Sequence, residues 1–504
     1  MKDPVRIELR PLGETFEVER GTPLQDCLFA YGVEFPCGGR GRCRGCRVRV
    51  LEGSLPVTPE EEKVLRPDEL AEGWRLACRA RADGALVLDI AQWETMILAD
   101  NSTFEFTPGD GLGITVDLGT TTLVAQLLDL KTGRVLGVRA CLNPQARHGS
   151  DVMSRIQFSV ARGRGKELED LIRAEIGGLV KKLLAGARAD ASRLRDVVIV
   201  GNTVMHHVFC GIDLEPLSHF PFEPARDGLE VFSASQLGWK IEGDPRVTFL
   251  PCLGSFVGSD ILAGILATKI HESDSLAALI DLGTNGEIVL GNRDRLLCTS
   301  TAAGPAFEGA RISMGMRAST GAIARVAGPA GSIQCHVLGN VPPRGICGSG
   351  LVDAVAVGLD LGLIQKSGRF SSGQDPWVLC PPVSMTQADV REVQLAKGAI
   401  AAGMRILLEH WGAAREDIKR LYLAGAFGNY ISRSSARRIG LIDFPEEKVQ
   451  PAGNTALLGA KIALFHRNVP GADPEYGEIR RRTKHLCLAA DEKFQDTYIE
   501  EMAF

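Results

Sequence analysis

Four cysteines near the N-terminus carry the strongest chemical signal in the chain. Cys37, Cys43 and Cys46 fall in FPCGGRGRCRGCRVRV as C-x5-C-x2-C, and Cys78 follows alone in LACRA. Four thiolates make up the ligand set of a [2Fe-2S] cluster. Gly38, Gly39, Gly41 and Gly45 suit a loop wrapped tightly around such a group, because glycine reaches unusual backbone angles at no steric cost. They also let backbone N–H groups turn toward anionic sulfur. The chemistry this predicts is single-electron transfer. Zinc is the alternative, but a four-cysteine zinc site usually shows two close pairs. Here three ligands crowd one loop and one stands apart. The other nine cysteines (Cys27, Cys141, Cys210, Cys252, Cys298, Cys335, Cys347, Cys380 and Cys487) show no paired spacing. They read as small hydrophobes in a reducing compartment.

A second chemistry is written twice. GITVDLGTTTLVAQLLD contains Asp117, Gly119, Thr120, Thr121 and Thr122, and ALIDLGTNGEIVLGN contains Asp281, Gly283, Thr284, Asn285, Gly286 and Glu287. Each predicts a strand, a turn and a second strand, with an aspartate at the first strand's end. Glycine lets the backbone approach phosphate, and threonine hydroxyls and amides donate to its oxygens. The aspartates suit a hydrated Mg²⁺, which takes few protein ligands. Two copies imply a duplicated fold with phosphates clamped between them. No G-x-x-x-x-G-K-[ST] is present, so a P-loop is excluded. In GICGSG, Gly348, Ser349 and Gly350 are expected at a helix N-terminus, a natural anion site. His206 and His207, in VVIVGNTVMHH, are tempting as metal ligands, but a structural role on an apolar helix fits better.

These residues need a framework to position them. The 504-residue length suggests about three domains. A hydrophobic content of 45% and a charged content of 24% are ordinary for a globular protein. The net charge of −5 gives no general case for nucleic acid or membrane binding. The N-terminal MKDPVRIELRPLGETF is not a signal peptide, and no apolar run approaches a membrane span, so a cytoplasmic protein is expected. Residues 1–93 predict a hairpin, then a helix over TPLQDCLFAYGV with Thr22 as cap and Pro23 at its first position, then the cysteine loop, the strand CRVRVLEG, a short polar helix over TPEEEKVLRPDEL with a Thr/Glu cap, and a closing sheet segment that brings in Cys78. Residues 94–111 read as a linker. From 112 to 504, strands alternate with amphipathic helices, long enough for two lobes. The expected class is an α/β multidomain protein.

The first unit resembles a β-grasp ferredoxin, in its cysteine spacing and its element order. The paired DLGT segments resemble the two phosphate loops of the superfamily of acetate and sugar kinases, heat-shock chaperone ATPases and actin. VVIVGNTVMHH, with Gly201 and Asn202, resembles its first connecting segment. LYLAGAFGNYI, with Gly425, Gly428 and Asn429, resembles its adenosine motif, and ALLGAKIAL its second connecting helix. The combination resembles the reductive activators of corrinoid proteins over nearly the whole chain, with GPAFEG (Gly304, Glu308) and GICGSG also in place. That resemblance implies a two-lobed, actin-like ATPase that restores Co(I) in a corrinoid-binding protein of a methyltransferase or O-demethylase system, fed by an external low-potential donor. It implies iron at Cys37, Cys43, Cys46 and Cys78, and Mg²⁺ and the attacking water at Asp117 and Asp281. Phosphates would fall to Thr120, Thr121, Thr284 and Asn285, and the nucleoside pocket to Gly425 and Gly428. Glu287 and Glu308 are the candidates for general base. A homodimer is left open. Competing readings are a redox-regulated small-molecule kinase and an activator of another low-potential metalloenzyme. Activators of 2-hydroxyacyl-CoA dehydratases share the ATPase fold but use a [4Fe-4S] cluster, which this cysteine pattern does not match.

Overall fold

The computed structural model describes every residue except 1–3, 11–13, 29, 30, 32, 34–40, 42–45, 91–105, 150, 284, 310, 317, 319, 320, 329–331, 372–374, 429, 430 and 467–474. Cys37, Cys43, Thr284 and Asn429 therefore lie outside the described residues.

The N-terminal residues form a β-grasp sheet. Its strands are β1 (Pro4–Arg10), β2 (Glu14–Glu19), β3 (Arg47–Glu52), β4 (Trp74–Leu76) and β5 (Leu86–Asp89), in the order β2-β1-β5-β3-β4. The central pair β1 and β5 is parallel and the others are antiparallel. Alternation along β1 places Val5, Ile7 and Leu9 in the core. The helix expected over residues 22–33 starts later than its sequence suggests. Thr22 and Pro23 pair with Ala82 and Arg81 instead, and the helix α1 covers Leu24–Leu28. Thr22 donates its hydroxyl to Glu19 O (2.6 Å) and caps nothing. The polar helix divides into α2 (Pro59–Val64) and α3 (Pro67–Ala71). Pro67 forces the break, because the residue before a proline is driven out of the helical region, and Arg66 is extended. Thr58 and Glu61 form the expected capping box.

Two six-stranded sheets follow. The first contains β6 (Leu112–Leu118), β7 (Thr122–Asp129), β8 (Val135–Leu142), β9 (Leu194–Gly201), β10 (Glu230–Ser233) and β11 (Arg246–Phe249), ordered β8-β7-β6-β9-β11-β10. The second contains β12 (Ala277–Leu282), β13 (Gly286–Gly291), β14 (Leu296–Thr301), β15 (Arg420–Ala424), β16 (Val449–Gly453) and β17 (Thr483–His485), ordered β16-β15-β12-β13-β14-β17. Each sheet begins with an antiparallel meander of three strands, and two later strands add in parallel beside the first of the three. With the edge strands β10 and β17 set aside, both sheets run 3-2-1-4-5, the structural form of the duplication and an actin-like ATPase architecture.

Contact density divides the chain into two compact units. Among the described residues, one takes those within 1–33, 41–267 and 455–481; the other takes those within 268–454 and 482–504. The helix Thr455–His466 thus follows β16 of the second sheet but belongs to the first unit. A Cβ on Gly459 would fall 1.9 Å from Ala263 O, and one on Gly113 of β6 would fall 2.7 Å from Leu464. Small residues are required at both close approaches. Phe106, from the end of the expected linker, packs its ring on Phe465 at 4.6 Å, and Gly109 N–H bonds Leu130 O at 2.9 Å. No described helix is long and apolar enough to cross a membrane.

Candidate functional site

Two of the four N-terminal cysteines are described, and the backbone brings them onto adjoining segments. Cys46 is fully buried at the head of β3, and Cys78 is half-buried on the 3-10 turn Ala77–Arg79. Ala77 N–H donates to Cys46 O at 2.9 Å, which ties the distant cysteine to the loop's last one. The turn is built from below. Glu61, also buried, accepts from Leu76 N–H (2.6 Å) and from Thr58 N–H (2.7 Å). Arg79 pairs with Glu60 at 2.5 Å, and Arg47 pairs with Glu69 at 2.7 Å while lying over the Trp74 ring. Gly41 has φ +66°, and a Cβ there would press on Arg79 Cδ at 3.0 Å and Glu60 Cβ at 3.1 Å. The positive φ and the close contacts favour glycine at this point, and the thiols of Cys46 and Cys78 have the chemistry to hold an iron–sulfur cluster.

In the first lobe, Gly119–Thr121 turn between β6 and β7. Gly119 N–H bonds Thr122 O at 3.1 Å, and a Cβ on Gly119 would lie 2.6 Å from that oxygen. Asp117 is half-buried at the end of β6, opposite Val124. Asn202 does not extend an open amide. Its Oδ1 caps the helix α4 (Thr203–Cys210) by accepting from Met205 N–H (3.0 Å), and its Nδ2 donates to Thr120 Oγ1 (2.9 Å). Gly201 is pressed against Leu118 O, and Gly258 against Gly201 O. Sequence reasoning missed two residues under this loop, Asn143 and Arg155. Asn143 donates from Nδ2 to Gly119 O and from its backbone N–H to Thr121 O, both at 2.9 Å. Arg155 donates to Thr120 O at 2.5 Å. A signal for Arg155 existed: Val152, Arg155 and Ile156 share the i, i+3, i+4 spacing of a buried helix face.

In the second lobe three glycine motifs converge. Asp281 lies opposite Glu287 across the β12–β13 hairpin and beside Ala424 of β15. Directly opposed residues share one face with close Cβ atoms, so the two carboxylates are neighbours. Ser300 donates to Glu287 Oε1 at 3.3 Å. Gly425 has φ +82°, and a Cβ there would sit 2.6 Å from both Asp281 Oδ1 and Leu282 O. Gly283 N–H bonds Asn285 O at 3.0 Å, and a Cβ on Gly286 would strike Ile400 and Thr301, each at 2.8 Å. Phe307 of GPAFEG stacks on Phe427 of LAGAFG, with centroids 4.7 Å apart and planes 5° apart. Gly348 meets both, since a Cβ there would fall 2.0 Å from Phe307 O and 3.0 Å from the Phe427 ring. Gly348, Ser349 and Gly350 open the helix Gly348–Asp360, but the Ser349 hydroxyl donates to Ala324 O at 2.9 Å. Gly304 has φ +77° with open space around it, and Gly428 packs against Leu423.

His206 and His207 are fully buried on α4. His206 Nε2 lies 3.1 Å from Gly228 O, and its ring meets Phe249 edge-on. Among the described residues, no three His, Cys, Asp or Glu side chains are grouped to hold a metal. Burial, with a smaller effect of His207, holds the His206 pKa down at about 4, and burial lowers His207 as well. A folded pKa below the unfolded value of about 6.5 means that the unfolded chain takes the proton first. Stability is therefore full above about pH 6.5 and is lost as pH falls toward about 4. The expected loss from His206 is about 2 kcal/mol by pH 5. Urea midpoints at pH 7 and pH 5 measure it, and His206→Gln should show a smaller decline. An equal decline in that variant would assign the effect elsewhere.

Comparison with known proteins places this geometry. Residues 7–83 match the 2Fe-2S iron–sulfur cluster binding domain, 112–273 the RACo middle region, and 275–504 the C-terminal domain of RACo, the ASKHA domain. The corrinoid activation enzyme RamQ of Eubacterium limosum is 35% identical over 448 residues, covering 81% of this chain and 74% of that protein. The [Co(II) methylated amine-specific corrinoid protein] reductase of Methanosarcina barkeri is 28% identical over 426 residues, covering 78% and 77%. A solved structure, the reductive activator for corrinoid, iron–sulfur protein, aligns with a TM-score of 0.70 at 28% identity, over 99% of this chain and 98% of that one.

Proposed function

This chain belongs to the reductive activators of corrinoid proteins, and we propose that it uses ATP to return an inactive Co(II) corrinoid on a partner protein to Co(I). The observation that carries the reading is the pairing, in one polypeptide, of a ferredoxin sheet that joins Cys46 to Cys78 with a duplicated ATPase core. Cys37, Cys43, Cys46 and Cys78 are the proposed iron ligands. Bound there, a [2Fe-2S] cluster supplies one-electron transfer. One electron passes to cobalt, and an external low-potential donor replaces it.

The electron has to run uphill. Plant-type [2Fe-2S] centres sit near about −400 mV, and a cobalt couple below that is penalised tenfold for each ~59 mV. ATP offsets the penalty only by favouring one complex over another. The residues assigned to that task are Asp117 and Asp281 for Mg²⁺ and water, and Thr120, Thr121, Thr122, Thr284 and Asn285 for phosphates. Gly425 and Gly428 admit the nucleoside. Glu287, opposite Asp281 across the hairpin, is the proposed general base. The proposed partner is the corrinoid protein of a methyltransferase or O-demethylase system, and the proposed compartment is the cytoplasm. Single-turnover reduction tests the coupling. Co(I) yield from the corrinoid partner is expected to rise sharply with Mg-ATP, and equal yield with and without it would sink the reading.

A further inference from the structure

The first phosphate loop is tied from one side through three successive carbonyls. Asn143 holds Gly119 O and Thr121 O, and Arg155 Nη2 holds Thr120 O between them. In a trans peptide the C=O and N–H point in opposite directions. Each tie therefore turns the N–H of the following residue toward the other side of the loop. Such a run of oriented amides makes an anion-binding concavity.

Arg155 differs from Asn143 in being a cation. It is fully buried on the helix Val152–Arg162. Its remaining partners are Gly149 O (3.1 Å from Nε), Gln145 Oε1 (3.2 Å from Nη1) and Met205 Sδ (3.5 Å from Nη1). None of these carries net charge, and among the described residues no carboxylate lies within ion-pair distance of it. Asp151 is near enough to act through space, but its carboxylate is engaged by Ser154 N–H (2.8 Å) and Ser154 Oγ (2.9 Å). Burial draws the Arg155 pKa down to about 10, so the group stays charged at neutral pH. Burying a charge beside neutral acceptors alone is costly, and a charge in a low-dielectric setting acts strongly on what lies a few ångströms away.

We propose that Arg155 is the positioning residue of the first phosphate loop: it fixes the Thr120–Thr121 peptide and supplies the buried positive charge that makes the loop prefer polyphosphate over nucleoside. The proposal rests on the reading of Gly119–Thr122 as a phosphate loop. The test is calorimetric titration of the full-length, anaerobically purified protein with Mg-ATP, Mg-ADP and adenosine. Arg155→Gln is expected to weaken ATP binding about thirtyfold and adenosine binding less than about threefold, because the lost interaction acts on phosphate charge. Arg155→Lys, which keeps the charge, should hold the ATP-to-adenosine preference within about threefold of the parent. A prop that merely supported the fold would shift all three ligands alike. Equal losses for ATP and adenosine, or an Arg155→Gln protein with the parental preference, would overturn the proposal. If the glutamine variant does not fold, the lysine variant decides: a kept preference supports the proposal and a lost one overturns it. A parent protein that binds no ATP would instead remove the phosphate-loop reading beneath it.

Discussion

Cys78→Ala protein, purified without oxygen, is expected to be colourless and to reduce its corrinoid partner only at the background rate. The substitution is chosen for what it leaves in place. The turn that carries Cys78 is held by the Ala77 N–H bond to Cys46 O, by Ala80 N–H to Ala77 O (3.3 Å), by Glu61 under Leu76 and by the Arg79–Glu60 pair. None of these uses the thiol. Cys78 is also half-buried, whereas Cys46 is fully buried and its loss would open a cavity. The ferredoxin sheet should therefore keep its circular dichroism, and ATP turnover should stay within about threefold of the parent, as for sites that share no partners. Visible absorption, iron content and single-turnover reduction provide the readouts. A variant that keeps its full iron complement would remove Cys78 from the ligand set.

Gly425→Ala should abolish nucleotide turnover while leaving the protein coloured. Two effects add at this residue. A side chain at φ +82° is strained by about 1 kcal/mol. The new methyl would also lie 2.6 Å from Asp281 Oδ1 and from Leu282 O, so either the aspartate or the backbone has to move. Gly412 separates the two effects. It has φ +80° at the end of the helix Gln387–Trp411, with nothing within 4 Å of an added Cβ. Gly412→Ala should lose about 1 kcal/mol of stability and little activity, and Gly425→Ala should lose at least about a hundredfold in ATP turnover, or about 2.7 kcal/mol of barrier. Equal ATPase rates in the two variants would show that contact with Asp281 does not matter to the chemistry.

The sequence was most legible where the information is local. Three of the four cysteines lie in one short stretch, and each DLGT hairpin is a single strand–turn–strand segment, so both are readable without knowing what packs around them. The 3-2-1-4-5 strand order is not local. β9 joins β6 only after a long excursion through two helices, and nothing in either strand's pattern names its neighbour. The helix start at Thr22 went astray for a related reason. Thr22 and Pro23 carry good helix-entry chemistry, but pairing with Arg81 and Ala82 outweighs it. Pro67 was different, since the break it forces between α2 and α3 can be read directly from the residue before it. Arg155 was hidden by habit. An arginine on an apolar helix face is usually taken as exposed, and it is the acceptors of Gly149, Thr120, Gln145 and Met205 that allow its burial. Asn202 was read as part of the first connecting segment, and its amide is spent on Thr120 and Met205.

The helix Thr455–His466 has a consequence for how the protein is made. It packs on β6 and β9, whose residues leave the ribosome long before it does. Between Thr268, where the first sheet's own helices end, and Thr455, about 190 residues must be synthesised. At the usual pace of about 5–20 residues per second, that is roughly 10–40 s during which Gly113 has no Leu464 to meet. The ferredoxin sheet, by contrast, closes with β5 at Asp89 and waits for nothing downstream within its own strand set. A nascent chain halted before residue 455 should thus hold a protease-resistant N-terminal sheet beside an unfinished, chaperone-dependent neighbour.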